Sequence, residues 1–177
     1  MPMPTPPAPG EEPTSESELY CYHLRRLITW YLEALDPSPN AAFTWRPPTA
    51  DANTLAAICA HAISSAEWWT LSCVGDGPIE RDRESEFAAS ASWAELRPRF
   101  VAFLSAAEEL LKPMSSDDLA AISRHPAGDR MRRRCLTHTI EHLGLHLGHV
   151  EITLDWWRSS DGIPSDIPDG VRGETLT

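Results

Sequence analysis

LTHTIEHLGLHLGHVEITLDWW, residues 136–157, is the stretch that decides how this chain is read. At about 100° per residue, its four histidines, His138, His142, His146 and His149, fall on an arc of roughly 80° of one helix. Leu136, Ile140, Leu143, Leu147, Val150, Leu154 and Trp157 form a second stripe on a neighbouring face. The helix therefore has an apolar stripe for a core and a separate imidazole stripe. Helix propensity does not explain so many histidines, whereas neutral imidazole is the commonest metal ligand. Histidines at i and i+4 reach one ion together.

A lone histidine on a helix is usually a surface or satisfied core residue. Four within twelve residues, beside a full apolar stripe, favour a metal site. One helix cannot complete it, because two histidines a turn apart need a third ligand from elsewhere. The candidates are His23, His61, His125, the four cysteines and the carboxylates. His61 is the natural completion: it is the single histidine of the second helix, and facing helices in a bundle build sites in their shared interior. Three imidazoles would leave open positions on the ion, as catalytic sites do.

The rest of the chain reads as helices punctuated by proline. Residues 1–13 are a Pro-rich, disordered leader, and residues 161–177, with two prolines and three glycines, are a flexible tail. Between them, residues 14–160 form the folded domain. Thr14 or Ser15 caps a first helix that carries Leu19, His23, Leu27, Trp30, Tyr31 and Leu35 and stops before Pro37. Asp36 to Ala50 is loop, pinned to the core by Phe43 and Trp45. Asp51 or Asn53 caps a second helix through LAAICAHAISSAEWWTLSCV, which Gly75 and Gly77 end. A charged loop follows, from Asp76 to Glu86. Ser90 or Ser92 opens a third helix that tolerates Pro98 early and breaks at Pro113. A short helix lies in SSDDLAAI, and the fourth long helix spans about Asp129 to Ser159. No stretch alternates convincingly as a strand. The expected fold is an all-α four-helix bundle with at least one crossover connection.

The chain has 15 Lys and Arg against 26 Asp and Glu, for a formal net charge of −11. That disfavours nucleic acid and anionic membrane as partners. The one basic cluster is Arg130, Arg132, Arg133 and Arg134, and it has one member at most available for an anion at a pocket mouth. No apolar run is long enough to span a bilayer. MPMPTPPAPGEEPTSE has neither the basic nor the apolar region of a secretory signal, so a cytoplasmic protein is expected. Cys21, Cys59, Cys73 and Cys135 are dispersed, without a CxxC pair, and read as free thiols.

TWRPP (residues 44–48), a polar turn, then a helix with His61 and the run AEWW (residues 66–69), resemble the DinB superfamily of metal-binding four-helix bundles. So does the fourth helix, with His142, three residues, His146, and then Leu147, Gly148 and His149. The resemblance covers residues 19 to 158. It implies a divalent metal held by His61, His142 and His146, with zinc as the first choice and nickel or iron as the others. Members include transferases and isomerases, maleylpyruvate isomerase among them, that use low-molecular-weight thiols. The Arg-Gly-Gln ending of one branch is here Leu147, Gly148 and His149, so that branch's substrate does not carry over. His138, His149 and His23 are candidates for orienting the ligands or touching a substrate.

The resulting expectation is a metal-dependent transferase that activates a small thiol, its co-substrate, for attack on a small electrophilic substrate. The alternatives are a metal-dependent hydrolase, for which Glu67 or Glu141 would be the base, and a non-catalytic metal-binding stress protein. Gly144 and Gly148, i and i+4 in a helix, mark close approach of something, a helix more readily than a ligand. The tryptophans at 30, 68, 93, 156 and 157, with the habit of the family it resembles, suggest a homodimer.

Overall fold

The computed structural model describes residues 12–49, 51–78, 80–124 and 128–160. The leader up to residue 11, the tail from residue 161 and His125 lie outside the described residues.

Helix α1 spans Glu16–Leu35. Ser15 caps it, its hydroxyl accepting the Glu18 backbone N–H at 3.2 Å, and Glu16 and Glu18 face the positive end of the helix dipole. Leu24, Leu27, Ile28, Tyr31, Leu32 and Leu35 recur at helical spacing and are buried. The helix ends at Asp36, before Pro37, as expected. The connection to the next long helix is not all loop. A five-residue helix α2, Asn40–Thr44, fits between Pro39 and Pro47 and carries the buried Phe43, which stacks on Trp93 with centroids 6.0 Å apart.

Helix α3 spans Leu55–Ala66, and its cap is Thr54, not Asp51 or Asn53; the Thr54 hydroxyl accepts the Ala57 N–H at 3.2 Å. Every residue of α3 except Ser64 is buried. A helix apolar all round belongs in a core, and its alanines at 56, 57, 60, 62 and 66 let neighbours approach closely. The second helix then departs from α geometry. Glu67–Ser72 form a π-helical turn, with Cys73 N–H bonded back to Trp68 C=O at 3.0 Å. The wider turn brings Thr70 to Thr139, their hydroxyls 3.1 Å apart, and Trp69 to His138.

The charged segment after it also holds a helix, α4, Arg83–Phe87, capped by Asp82. Helix α5, Trp93–Leu111, opens with a capping box between Ser92 and Glu95 and continues through Pro98. Helix α6, Ser116–Ala120, opens with a second box between Ser115 and Asp118. Strands β1, Ile122–Ser123, and β2, Arg130–Met131, pair antiparallel. Two residues are too few to show alternation, which is why no strand was expected. Helix α7 spans Arg132–Ser159.

The long helices form a ring in which α3 packs on α7, α7 on α1, α1 on α5, and α5 on α3. The connections α1 to α3 and α5 to α7 therefore cross the bundle, and the fold is an all-α four-helix bundle with crossovers. The Tyr31 hydroxyl donates to the Leu143 carbonyl at 2.9 Å, tying α1 to α7 one residue beyond His142. The arginine cluster serves the fold: Arg133 bridges to Glu16 at 2.9 Å and Arg132 to Asp76 at 3.2 Å. Among the described residues no helix is long and apolar enough to cross a membrane.

Asp36 locks the end of α1 to the start of α5. It accepts Trp93 Nε1–H at 2.7 Å, Arg97 Nε–H at 2.8 Å and Arg97 Nη2–H at 3.1 Å. Burial alone would raise its pKa, but the Arg97 and Trp93 hydrogen bonds outweigh burial and hold the carboxyl below its ordinary value. A depressed carboxylate contributes stability that is whole above the unfolded value, about 3.9, and is lost as pH falls through the lower folded value. Asp36→Asn is expected to lower unfolding free energy by about 1.5–3 kcal/mol in urea titrations at pH 7. The difference from wild type should shrink as pH falls below 4.

Candidate metal centre

His61 reaches the site because α3 is central, and His142 and His146 because the imidazole stripe of α7 faces α3 while the apolar stripe packs into the core. The ring centroids of His61 and His142 are 5.0 Å apart, those of His61 and His146 4.9 Å, and those of His142 and His146 4.4 Å. One ring nitrogen from each residue lies within 4.8 Å of the other two, and the three form a group able to hold a metal ion. A tetrahedral ion with bonds of about 2.0–2.1 Å sets its nitrogens about 3.4 Å apart, so rotamer shifts of an ångström or so would close the group.

The electrostatics suit a cation. Burial, with His146 and His61 as neighbours, pushes His142 down to about 3. Burial and His61 push His146 down to about 4. Burial lowers His61 as well, against the opposing pull of Glu86. All three rings are thus neutral at pH 7, the form that ligates. His142 Nδ1 is buried with no hydrogen-bond partner among the described residues. Such an orphan costs about 1–3 kcal/mol, and coordination by one ring nitrogen or reorientation about an ion would relieve it. Donor set, protonation and the orphaned nitrogen all fit a divalent metal.

One residue here was not foreseen. Glu86, from the segment read as a charged loop, is buried and accepts His61 Nδ1–H at 2.8 Å. Arg81 grips the same carboxylate with two hydrogen bonds, Nε–H to Oε1 at 2.7 Å and Nη2–H to Oε2 at 2.9 Å. Burial would raise the Glu86 pKa, but Arg81 and His61 outweigh it and keep the group ionised. With its proton on Nδ1, His61 offers Nε2 as the ligand atom, the carboxylate–histidine pairing that orients metal ligands. Phe87 stacks on the other face of the His61 ring, centroids 4.5 Å apart.

His149 Nδ1 lies 3.4 Å from His146 Nδ1, within reach of a hydrogen bond whose donor is set by the tautomers of the two rings. His138 packs between Trp69, at 4.5 Å, and His142, at 5.4 Å. Both therefore adjoin the cluster, as the stripe implied. His23 does not: its ring contact is with Tyr22, on its own helix. Glu67 pairs with Arg99, and Glu141 is exposed, its charge felt by His138 but not among the influences on His142 or His146, so neither carboxylate considered as a hydrolytic base is poised at the three converging rings. No cysteine belongs to the cluster. Cys59, Cys73 and Cys135 are buried, and Cys21 is half-buried. Dispersed in sequence, Cys73 and Cys135 are nonetheless neighbours in space, and the Cys73 S–H helps pull Cys135 down to about 7.

A helical bundle that aims imidazoles from two facing helices at one interior point defines a class of metal-site bundles. The DinB superfamily model matches residues 23–150, and the chain belongs to that superfamily. The fold superposes on the crystal structure of a conserved protein of locus from Enterococcus faecalis, with a TM-score of 0.61 and 16% identity over 84% of this chain and 100% of that one. At that identity the likeness speaks for the fold. No curated protein matches the sequence.

Glu86→Ala is expected to weaken divalent-metal affinity about 10- to 100-fold, read by competition with a chromophoric chelator. Glu86→Gln, which still accepts from Nδ1, should recover part of that loss. Equal affinity in Glu86→Ala and wild type would show that the contact does not orient His61.

Proposed function

We propose that the protein is a metal-dependent transferase that activates a low-molecular-weight thiol for attack on an electrophilic carbon, with His61, His142 and His146 as the ligands of a divalent ion. The reading rests above all on three neutral imidazoles converging from two helices, one with an unsatisfied buried nitrogen, in a chain of the DinB superfamily. When bound, a divalent ion with open positions lowers the pKa of a coordinated thiol, so that thiolate is available at neutral pH. Zinc is the first choice, and nickel and iron also accept imidazole. The chain's part is to hold and orient. Glu86 fixes the His61 tautomer, His149 stands within hydrogen-bond reach of His146, Phe87 covers the His61 ring, and Trp69 packs on His138 next to the trio.

The protein's own thiols are poor rivals as nucleophile. Burial drives Cys59 far up and Cys21 up to about 11, and Cys135, though depressed, has no exposed surface. The same free, buried thiols support a reducing, cytoplasmic setting. The hydrolase reading lacks a carboxylate base at the three rings: Glu67 is paired with Arg99, Glu141 is exposed, and Glu86, which does reach the site, is held by Arg81.

Replacing His61, His142 or His146 with alanine is expected to remove most bound metal by elemental analysis; full occupancy in His146→Ala would sink the ligand assignment. Turnover of electrophiles should require an added thiol and survive replacement of all four cysteines by alanine. If it vanished in that variant with metal and fold intact, a protein cysteine would be the nucleophile.

A homodimer is proposed through the α1–α7 face. Leu27, Trp30, Gly144 and Gly148 line a groove there, and Leu145 is 59% exposed beside it. Within the chain, a Cβ at Gly144 would just touch Leu27 at 3.9 Å, and one at Gly148 would meet nothing within 4 Å. Among the described residues the room above Gly148 therefore serves no contact, and it suits a second copy. Light scattering at micromolar concentration should give twice the chain mass for wild type and the single mass for Leu145→Asp. A monomeric wild type would refute the dimer.

A further inference from the structure

The ligand stripe of α7 continues beyond His149 through Thr153 and Trp156, and there it becomes one side of a pocket of about 270 Å³. His146 and His149 line one part of this pocket, Phe87 stands beside the His61 ring, and Ala52 and Ile58 come from the α3 side. Ten residues of helix separate His146 from Trp156, a rise of about 15 Å, so one wall reaches from the histidines to an aromatic rim.

Two observations fix the chemistry of what fits. Among the described residues the pocket is lined by no Asp, Glu, Lys or Arg; its polar groups are Asn53, Thr153 and the two imidazoles. Arg83 lies over the Phe87 ring, 5.8 Å from its centroid, but does not line the pocket, so a charged ligand would lose water there without a counter-charge at the wall. The second observation is where the exposed apolar surface lies. Phe87 at 36% exposure, Trp156 at 43% and Ile152 at 64% are three of the chain's exposed large apolar residues, and all three line this one concavity. The exposed Trp156 ring and the exposed part of Phe87, whose ring is stacked on His61 and overlain by Arg83, make walls of a hollow suited to an apolar ring. The volume falls just below the range of about 300–1,000 Å³ typical of drug-sized ligands, so the occupant is compact.

We propose that this pocket binds an uncharged, compact apolar molecule of about one aromatic ring, its polar end toward His146 and His149, and that this is the electrophilic substrate of the transferase reading on which the inference rests. The stripe then has two successive roles: imidazoles that hold the ion, followed by apolar groups that hold the second reactant beside it. An anionic thiol would approach from another side of the cluster.

The test is ¹⁹F NMR titration of the full-length protein, metal-loaded and metal-stripped, with three probes of one size: 4-fluorobenzyl alcohol, 4-fluorobenzoate and 4-fluorobenzylamine. The alcohol is expected to bind in both forms, at least tenfold more tightly than either charged probe in the stripped form. Ala52→Phe, which fills the pocket, and Trp156→Ala should each weaken it fivefold or more, with Trp30→Ala unchanged. Equal or tighter binding of a charged probe, no binding of the alcohol to folded protein, or binding indifferent to both Ala52→Phe and Trp156→Ala would overturn the proposal. So would loss of the alcohol site through self-association, seen as a dimer that Trp156→Ala converts to monomer. None of these readouts needs turnover. Absence of thiol-dependent activity would thus fail the transferase reading alone, and thiol-dependent activity without alcohol binding would fail this inference alone.

Discussion

The packing of α3 against α7 is the contact on which the rest of the molecule turns. It unites the most buried helix with the one that carries two unlike stripes. Leu143, Leu147, Val150 and Leu154 fix the rotation of α7 about its axis by going into the core. Once that rotation is set, His142 and His146 have one direction to point, toward His61. Tyr31 then fixes the slide of α7 along its axis through its bond to the Leu143 carbonyl. Rotation and slide together place two rings within 5.0 Å of a third on another helix.

The crossovers follow from the same constraint. With α3 beside α7, and α1 and α5 completing the ring, successive long helices lie on diagonals at two of the three connections. Those connections must traverse an end of the bundle, and each is stiffened for it: α2 with Phe43 under the first, α6 and the β1–β2 pair under the second. The charged segment between α3 and α5 joins neighbours and need not cross. It is free to fold back on the site, which is how Glu86 comes to lie beside His61.

How far all this was legible in the sequence depends on the range of the interactions involved. Boundaries set by local chemistry were readable to within a residue or two: a first helix capped by Thr14 or Ser15, a third opened by Ser90 or Ser92, and stops at Pro37 and Pro113. So was the meeting of three imidazoles, because helical spacing placed two rings on one face and His61 was the single histidine of the facing helix. Thr54 as a cap was missed because four consecutive residues, Asp51 to Thr54, include three able to cap, and the choice among them depends on the chain's path. The π turn was missed because EWWTLS differs in no local pattern from the α-helix before it. Glu86 was missed because its partner lies 25 residues away; in a run rich in Arg, Asp and Glu, one buried carboxylate looks like its solvated neighbours.

The grip of Arg81 on Glu86 has a bearing on charge balance as well as on orientation. A carboxylate hydrogen-bonded to a ligating imidazole would ordinarily lend the site negative charge. Here a guanidinium cancels it within 3 Å, and the three imidazoles are neutral. A divalent ion in this setting would keep nearly its whole double charge, undiminished by its immediate surroundings. Its open positions would then favour anionic donors over neutral ones, before shape had any say.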